Sequence, residues 1–286
     1  MKYFICKNEE ETIVIIKEIT LAEYNKWKKC TEKLQYYALA NNYRDIAIKN
    51  GLELVNYLKS IKKLSTPEEM QKINATSIGI EANRLILNYL VSFRTFVDNL
   101  QSYSLHLKKG KKFKENVLNK TYDNEPIYAF LSKLRNFATH FSMIFDSIEM
   151  ETGKIHLQCS KKHLLEYDSW KVQNINFINS CNEDYLPILD YIEHNNILIM
   201  NIYLGFLNYF GYDIQDMHNQ TMELMSEYRI LNPFFIECEN ENNLVGAHII
   251  GIGLDDLKKA TDEFAQPPNV NITYISPEQI LNDKNV

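Results

Sequence analysis

A chain of 286 residues with 45% hydrophobic and 12% aromatic residues can bury one large or two smaller cores, so its composition favours a folded protein over a disordered one. Nine glycines and seven prolines against eighteen tyrosines and fourteen phenylalanines favour helices over a fold rich in tight turns. The formal charge of -6 excludes a uniformly basic surface, so any nucleic-acid binding must use a local basic patch.

The first 62 residues predict a β-hairpin followed by a helical segment. The start, MKYFICKNEEETIVII, contains an acidic turn between two strand-like segments, where a signal peptide would need an apolar stretch. Residues 21–62 are helical in composition. We expect a break at Gly51, because glycine readily adopts the left-handed conformation that ends helices.

A long central helix is predicted from the sequence STPEEM, with Ser65 or Thr66 as its cap and Pro67 in its first turn, to about Lys108. Apolar residues surround most of it, but one polar strip lies within about 40° of a single line at 100° per residue. This strip is either the solvent face, which is the simpler interpretation, or the wall of a polar groove or subunit contact. Its members are Arg84, Asn88, Thr95, Asp98 and Ser102.

A lysine-rich segment, HLKKGKKFK at 106–114, follows the long helix and contains no acidic residue. A solvated loop between helices is the simpler interpretation of such a run. The alternative is a phosphate-binding surface that draws RNA to the protein. Its substrate-binding residues would be Lys108, Lys109, Lys111, Lys112 and Lys114.

The next predicted helix begins at Asp123 or Asn124, has Pro126 in its first turn and continues to about Phe145. A helical wheel centred on Leu134 places the apolar residues, including Phe141 and Phe145, on one core face. Four polar residues occupy the opposite side, namely Arg135, Asn136, Thr139 and His140. Arg135 and His140 are about 140° apart on this wheel, so one straight helix does not bring them together.

The rest of the chain predicts a mixture of helices and strands. A hairpin is expected at 147–160, two helices in 182–229 with a break at 210–212, strands in FFIEC, AHIIGIG and VNITYI, and a short helix at 254–264. The longest apolar stretch, 197–210, is about fourteen residues and too short to cross a bilayer, so we expect a buried helix and no membrane. Five scattered cysteines fit a reducing, cytoplasmic environment without disulfides or a zinc site.

The R-N-x-x-x-H pattern within LSKLRNFATHF resembles the R-x(4-6)-H signature of the HEPN superfamily, the higher eukaryotes and prokaryotes nucleotide-binding domains. The resemblance covers roughly residues 66–146. It implies an α+β, mostly α protein in which a HEPN-like helical bundle carries small peripheral β elements. The expected organisation is an N-terminal hairpin and helix at 1–62, the HEPN-like core at 66–146, and a helical and α+β region at 147–286 packed on that core.

Active members of this superfamily are metal-independent endoribonucleases that work as dimers, so the resemblance implies RNA as substrate, a homodimer, and no metal or cofactor. By the resemblance Arg135 would hold the scissile phosphate, His140 would transfer protons and Asn136 would orient either group. The superfamily also contains inactive members, so the alternative is a non-catalytic dimeric module that binds a protein or nucleotide. A third possibility is a toxin or phage-defence component held silent by an antitoxin or other partner protein.

Overall fold

The computed structural model describes residues 1–10, 12–62, 74–151, 154–240, 244 and 246–265. Its helices are α1 (Leu21–Lys62), α2 (Ala75–Ser104), α3 (Gly110–Phe113), a π-helical turn (Lys114–Asn119), α4 (Lys120–Asn124), α5 (Pro126–His140), α6 (Lys161–Leu165), α7 (Val172–Ser180), α8 (Ile188–Tyr228) and α9 (Leu254–Ala265). Its strands are β1 (Lys2–Glu9), β2 (Thr12–Ile19), β3 (Ser147–Glu151), β4 (Lys154–Gln158), β5 (Phe234–Cys238) and β6 (His248–Gly251).

The described residues form a mostly helical α+β structure, which confirms that part of the predicted fold class. One sheet is antiparallel with strand order β2-β1-β5-β6, so β1 from the start of the chain pairs at its centre with β5, which follows α8. Strands β3 and β4 form the separate hairpin predicted at 147–160. The predicted strands FFIEC and AHIIGIG correspond to β5 and β6, and the predicted final helix corresponds to α9. The segment VNITYI lies outside the described residues.

Three long helices, α1, α2 and α8, form the main core together with α5. Helices α1 and α8 run antiparallel, because Lys59 pairs with Glu193 near one end and Lys33 pairs with Asp213 near the other. One hydrophobic cluster joins residues of all four helices and of the segment between α2 and α5. This shared core fixes the faces that α2 and α5 present to solvent.

Helix α1 is continuous through Gly51, so the predicted break at this residue is wrong. The helix begins at a reciprocal cap in which Thr20 and Glu23 exchange hydrogen bonds. Gly51 is buried, and a Cβ placed there would lie 2.8 Å from Nδ2 of Asn196 and 2.8 Å from a ring carbon of Tyr89. The glycine is therefore needed for close packing between helices and not for a left-handed turn.

Helix α8 is also continuous, so the predicted break at 210–212 is wrong. Gly211 is buried inside the helix, and the ring of Phe210 stacks on Tyr37 of α1 with their centroids 6.0 Å apart. By length and composition α8 could cross a membrane, but 61% of its most apolar window is buried inside the protein. It is buried in the way that a core helix of a soluble protein is.

The predicted ends of the two central helices need correction. The predicted start of the long central helix, at Ser65 to Pro67, lies outside the described residues. The described helix α2 begins after Asn74, whose side chain accepts a hydrogen bond from the backbone N–H of Ser77 at 3.2 Å. Helix α2 ends at Ser104 and not at Lys108. The segment that follows is not an open loop, because α3, the π-helical turn and α4 occupy it.

Helix α5 begins at Pro126, as expected. The N–H groups of the first turn of a helix have no partner within the helix, so proline, which lacks an N–H, loses no hydrogen bond there. The cap position is Glu125 and makes no side-chain capping bond, while Asp123 and Asn124 belong to α4, so the predicted caps are wrong. The helix ends at His140 and not at Phe145. Phe141, predicted to lie on the core face, is consequently 47% exposed.

Candidate functional site

Helix α5 holds the candidate residues on the side that faces away from the core. Phe130, Leu134 and Phe137 are fully buried, as the helical wheel predicts. Arg135 and Asn136 are half-buried, and His140, the last residue of the helix, is exposed. Packing of the apolar side therefore fixes where the polar residues point.

A groove with a volume of about 430 Å³ runs between α2, α5 and the segment that joins them. Arg135 and Asn136 both line it, together with Asp98 of the predicted polar strip. Its other polar lining residues come from four different parts of the chain and are Arg94, Gln101, Asn119, Tyr122, Tyr128, Ser132, Lys133 and Lys171. Four basic side chains and one carboxylate give the groove a formal charge of +3.

The charges in the groove are only partly neutralised from within. Arg94 forms an ion pair with Asp98 at 2.7 Å, and the ammonium of Lys171 lies 5.3 Å from the centre of the Tyr122 ring. Within the part of the chain that the structure describes, the side chains of Lys133 and Arg135 make no hydrogen bond or ion pair. These two cations are free to meet an anion from solution.

His140 does not line this groove. It lies at the exposed C-terminal end of α5, next to a partly exposed cluster of rings that includes Phe141. The centroid of Phe141 is 5.6 Å from that of Tyr167 and 6.2 Å from that of His163. The structure thus brings Arg135 and Asn136 into one groove, whereas His140 stays at the end of the helix, in keeping with the 140° separation on the wheel.

The five lysines predicted to bind substrate also lie away from the groove. Lys108 pairs with Asp216 of α8, and the ammonium of Lys109 lies 4.7 Å from the centre of the Tyr212 ring. Lys111 is 3.9 Å from Glu115, and Lys112 and Lys114 stand along α3 and the π-helical turn. Within the segment between α2 and α5, the residues that line the groove are Leu118, Asn119 and Tyr122, which all follow these lysines in the chain.

The predicted polar strip of α2 is mainly a solvent face. Arg84 is exposed and pairs with Glu81 at 2.6 Å and with Glu53 at 3.5 Å, and the hydrogen bonds that its guanidinium donates to the Glu81 carboxylate raise the pKa of Arg84. Asn88 is exposed and Thr95 is half-buried. Asp98 alone of the predicted strip lines the groove.

Sequence reasoning missed three cations of the groove, Arg94, Lys133 and Lys171. Lys133 stands two residues before Arg135 on the same helix and could have been found on the wheel. Lys171 lies at the start of α7, and the sequence around it does not indicate a place in the groove, because only the packing of α7 on α5 brings it there. Tyr128 forms part of the buried wall, where burial raises the pKa of its hydroxyl.

A larger cavity, with a volume of about 680 Å³, lies between the end of α1, the β3–β4 hairpin and the start of α8. Its charged lining residues are Glu149, Glu183 and Asp190, so it repels the anionic backbone of a nucleic acid. Among the described residues no group of three or more His, Cys, Asp and Glu side chains could hold a metal ion. The basic groove is therefore the better candidate for a nucleic-acid site.

Comparisons with protein-family models, with curated proteins and with solved structures found no match. The site must be interpreted from its own geometry. That geometry offers an unpaired guanidinium and an amide in a positively charged groove, with an imidazole at the end of the same helix. Such a set can bind a phosphate diester and, once the imidazole reaches it, transfer protons.

Proposed function

We propose that the protein is a metal-independent endoribonuclease of HEPN type that acts on single-stranded RNA as a homodimer. The observation that carries the proposal is the unpaired side chain of Arg135 in a groove of formal charge +3, within a chain of net charge -6. A guanidinium presents two parallel N–H donors to two phosphate oxygens, which suits both a phosphodiester and the more highly charged transition state. The resemblance of the α5 motif supplies the reaction class.

In the proposed mechanism Arg135 holds the scissile phosphate and Asn136 donates its amide N–H to a phosphate oxygen or orients the imidazole. His140 removes the proton from the ribose 2'-hydroxyl, or protonates the departing 5'-oxygen, and solvent water exchanges the proton at the other oxygen, because imidazole exchanges protons near neutral pH. The 2'-oxygen attacks phosphorus and the bond to the 5'-oxygen breaks, which leaves a 2',3'-cyclic phosphate. DNA lacks the 2'-hydroxyl and resists cleavage.

The dimer follows from the separation of Arg135 and His140 on α5. Because the two side chains point about 140° apart, a site that uses both is assembled more easily from two copies of the helix related by a two-fold axis. Arg135 of one copy then meets His140 of the other. The exposed side chains of Phe141 and Met143, which follow His140, lie where the two copies would approach one another.

The test is cleavage of labelled single-stranded RNA in EDTA by wild type, Arg135→Ala and His140→Ala. We expect both variants to lose cleavage while retaining the thermal stability of wild type, since neither side chain has a partner among the described residues. Arg84→Ala is the matched control, because it removes an exposed arginine from α2 that does not line the groove. Intact RNA with wild type, or equal cleavage by the two variants, would refute the enzymatic proposal.

A mixing experiment tests the shared site directly. If Arg135 of one chain works with His140 of the other, an equal mixture of the two inactive variants regains about a quarter of wild-type activity, because half of the dimers are mixed and each has one intact site. If both residues act within one chain, every site in the mixture lacks one of them and cleavage stays absent.

The second candidate function is a non-catalytic dimeric module that binds a protein or a nucleotide through the same face. It is favoured by the exposed Phe141 and Met143, 47% and 60% exposed, beside the motif. RNA or nucleotide binding in the groove without cleavage would assign this function. As a toxin or phage-defence component, the protein would act in the cytoplasm, and an antitoxin or other partner covering the end of α5 would silence it.

A further inference from the structure

A second basic pocket, with a volume of about 510 Å³, lies between α1 and α8. Three lysines of α1 line it at helical spacing, Lys26, Lys29 and Lys33, so they share one face of the helix. Lys108, from the segment after α2, joins them. With Asp213 and Asp216 of α8 also in the lining, the pocket has a formal charge of +2.

The two carboxylates hold part of this pocket in a fixed arrangement. The side chain of Asp213 is completely buried, pairs with the Lys33 ammonium, and accepts a hydrogen bond from the backbone N–H of Lys108 at 3.1 Å. Asp216 pairs with the ammonium of Lys108. A buried carboxylate with two partners is costly to displace, so Lys33 and the backbone at Lys108 are held in position.

The two remaining lysines form no ion pair in the described part of the chain, although the charge of Lys26, after the hydrogen bonds from Thr20, helps to lower the pKa of Glu23. The ammonium of Lys26 lies 5.7 Å from the centre of the Trp27 ring, and Lys29 makes no hydrogen bond or ion pair there. Both are exposed residues of α1. These lysines give the pocket its excess of positive charge, which is available to an anionic ligand.

Gln220 adds a different requirement. It lines the pocket, and its side-chain Oε1 is buried with no hydrogen-bond partner among the described residues. A buried acceptor without a partner is destabilising, so a turn of this side chain towards the pocket is favoured when a ligand there supplies a hydrogen-bond donor. The pocket thus suits a group that carries anionic oxygens for the lysines and one O–H for the amide.

We propose that this pocket binds a phosphate monoester. The second pKa of such a group is about 6, so near neutral pH part of it carries one O–H beside its charged oxygens. The group could come from a free nucleotide or from the 5'-phosphorylated end of an RNA strand, which share this chemistry. The site uses α1 and α8, contains none of the residues of the α5 groove, and stands whether or not the ribonuclease proposal holds.

The first test is calorimetric titration of the full chain with inorganic phosphate and with sulfate at low salt and near pH 6. We expect phosphate to bind more tightly than sulfate, because sulfate has no proton to donate to Gln220. Lys29→Gln should weaken phosphate binding about fivefold, the scale of one exposed charge contact. Lys28→Gln is the matched control, since Lys28 is also exposed on α1 but does not line the pocket.

The second test separates the sources of the phosphate by competition. Displacement of phosphate by adenosine monophosphate would identify a free nucleotide, and displacement by a 5'-phosphorylated RNA would identify a strand end. Both results support a monoester site. Equal competition by the same RNA with a 5'-hydroxyl, equal binding of sulfate, equal affinities of Lys29→Gln and Lys28→Gln, or no phosphate binding by wild type would each overturn the proposal.

Discussion

The substitution Gly51→Ala tests whether α1 is one continuous helix packed closely on α2 and α8. In a helix interior alanine is more stable than glycine by about 1 kcal/mol, so an exposed position would gain stability. At Gly51 the added Cβ would lie 2.8 Å from Nδ2 of Asn196 and 2.8 Å from a ring carbon of Tyr89. Overpacking of this kind costs roughly 1–3 kcal/mol.

Neither neighbour can move away without further loss. Tyr89 is completely buried, and its hydroxyl accepts a hydrogen bond from Nδ2 of Asn195 at 2.8 Å, which a shift of the ring would weaken. The Oδ1 of Asn196 is already buried without a partner among the described residues. We therefore expect the steric cost to exceed the gain in helix propensity, for a net loss of about 1–2 kcal/mol.

Gly79→Ala provides the matched control within another long helix. The nearest atom to its added Cβ is the terminal methyl of Ile148, at 3.2 Å, which can rotate aside. This variant should be as stable as wild type or gain up to about 1 kcal/mol. The assay is thermal and urea unfolding of both variants. For a chain of this size the midpoint of Gly51→Ala should fall by roughly 2–8 °C.

The packing argument fails if Gly51→Ala is as stable as wild type, or if Gly79→Ala loses as much stability. An unchanged midpoint for Gly51→Ala would mean that Asn196 and Tyr89 move aside to admit the methyl group, so the packing around Gly51 would be looser than the structure shows.

Two further predictions concern RNA binding and alkaline pH. If the α5 site binds RNA, Phe141→Ala should weaken binding by about 1–3 kcal/mol through loss of base stacking, measured by fluorescence anisotropy, whereas Met143→Ala should have a smaller effect. Burial, with a smaller contribution from Cys238, raises the pKa of the Cys6 thiol from 9.0 to about 11. The protonated thiol therefore contributes stability that is complete below about pH 9 and is lost as pH rises towards 11, and urea unfolding of Cys6→Ala should show less of this decline than wild type.

Most helices and strands could be predicted from the sequence because their signals are local. The β1–β2 and β3–β4 hairpins and helix α5 follow from alternation, turn residues and an apolar face. The two wrong breaks share one physical cause. Gly51 and Gly211 are both buried inside a continuous helix, and at Gly51 the glycine allows a close contact, but a glycine at either position gives the same sequence signal as a helix end.

The candidate site could be predicted only as far as one helix extends. The wheel placed Arg135, Asn136 and His140 away from the core, because the apolar side of α5 is unambiguous. The groove beside Arg135 could not be predicted, since Arg94 and Lys171 reach it from other helices. The charge of the lysine-rich segment predicts that it belongs to the same site, whereas its first lysine, Lys108, lines the pocket between α1 and α8.

The groove and the lysine pocket are both positively charged, although the net charge of the chain is negative. The groove (+3) and the lysine pocket (+2) together hold +5, so the rest of the sequence must carry -11 to give the net charge of -6. These two sites attract an anionic ligand although the net charge of the chain is negative, and its affinity should fall steeply with salt. If one RNA strand occupied both sites, Arg135→Ala and Lys29→Gln would each weaken its binding, and the double variant would lose the sum of the two effects within about 0.5 kcal/mol, because the two sites share no lining residue. If the pocket served a different ligand, Lys29→Gln would leave RNA binding to the groove unchanged and the double variant would match Arg135→Ala, so this comparison decides whether the groove and the pocket serve one ligand or two.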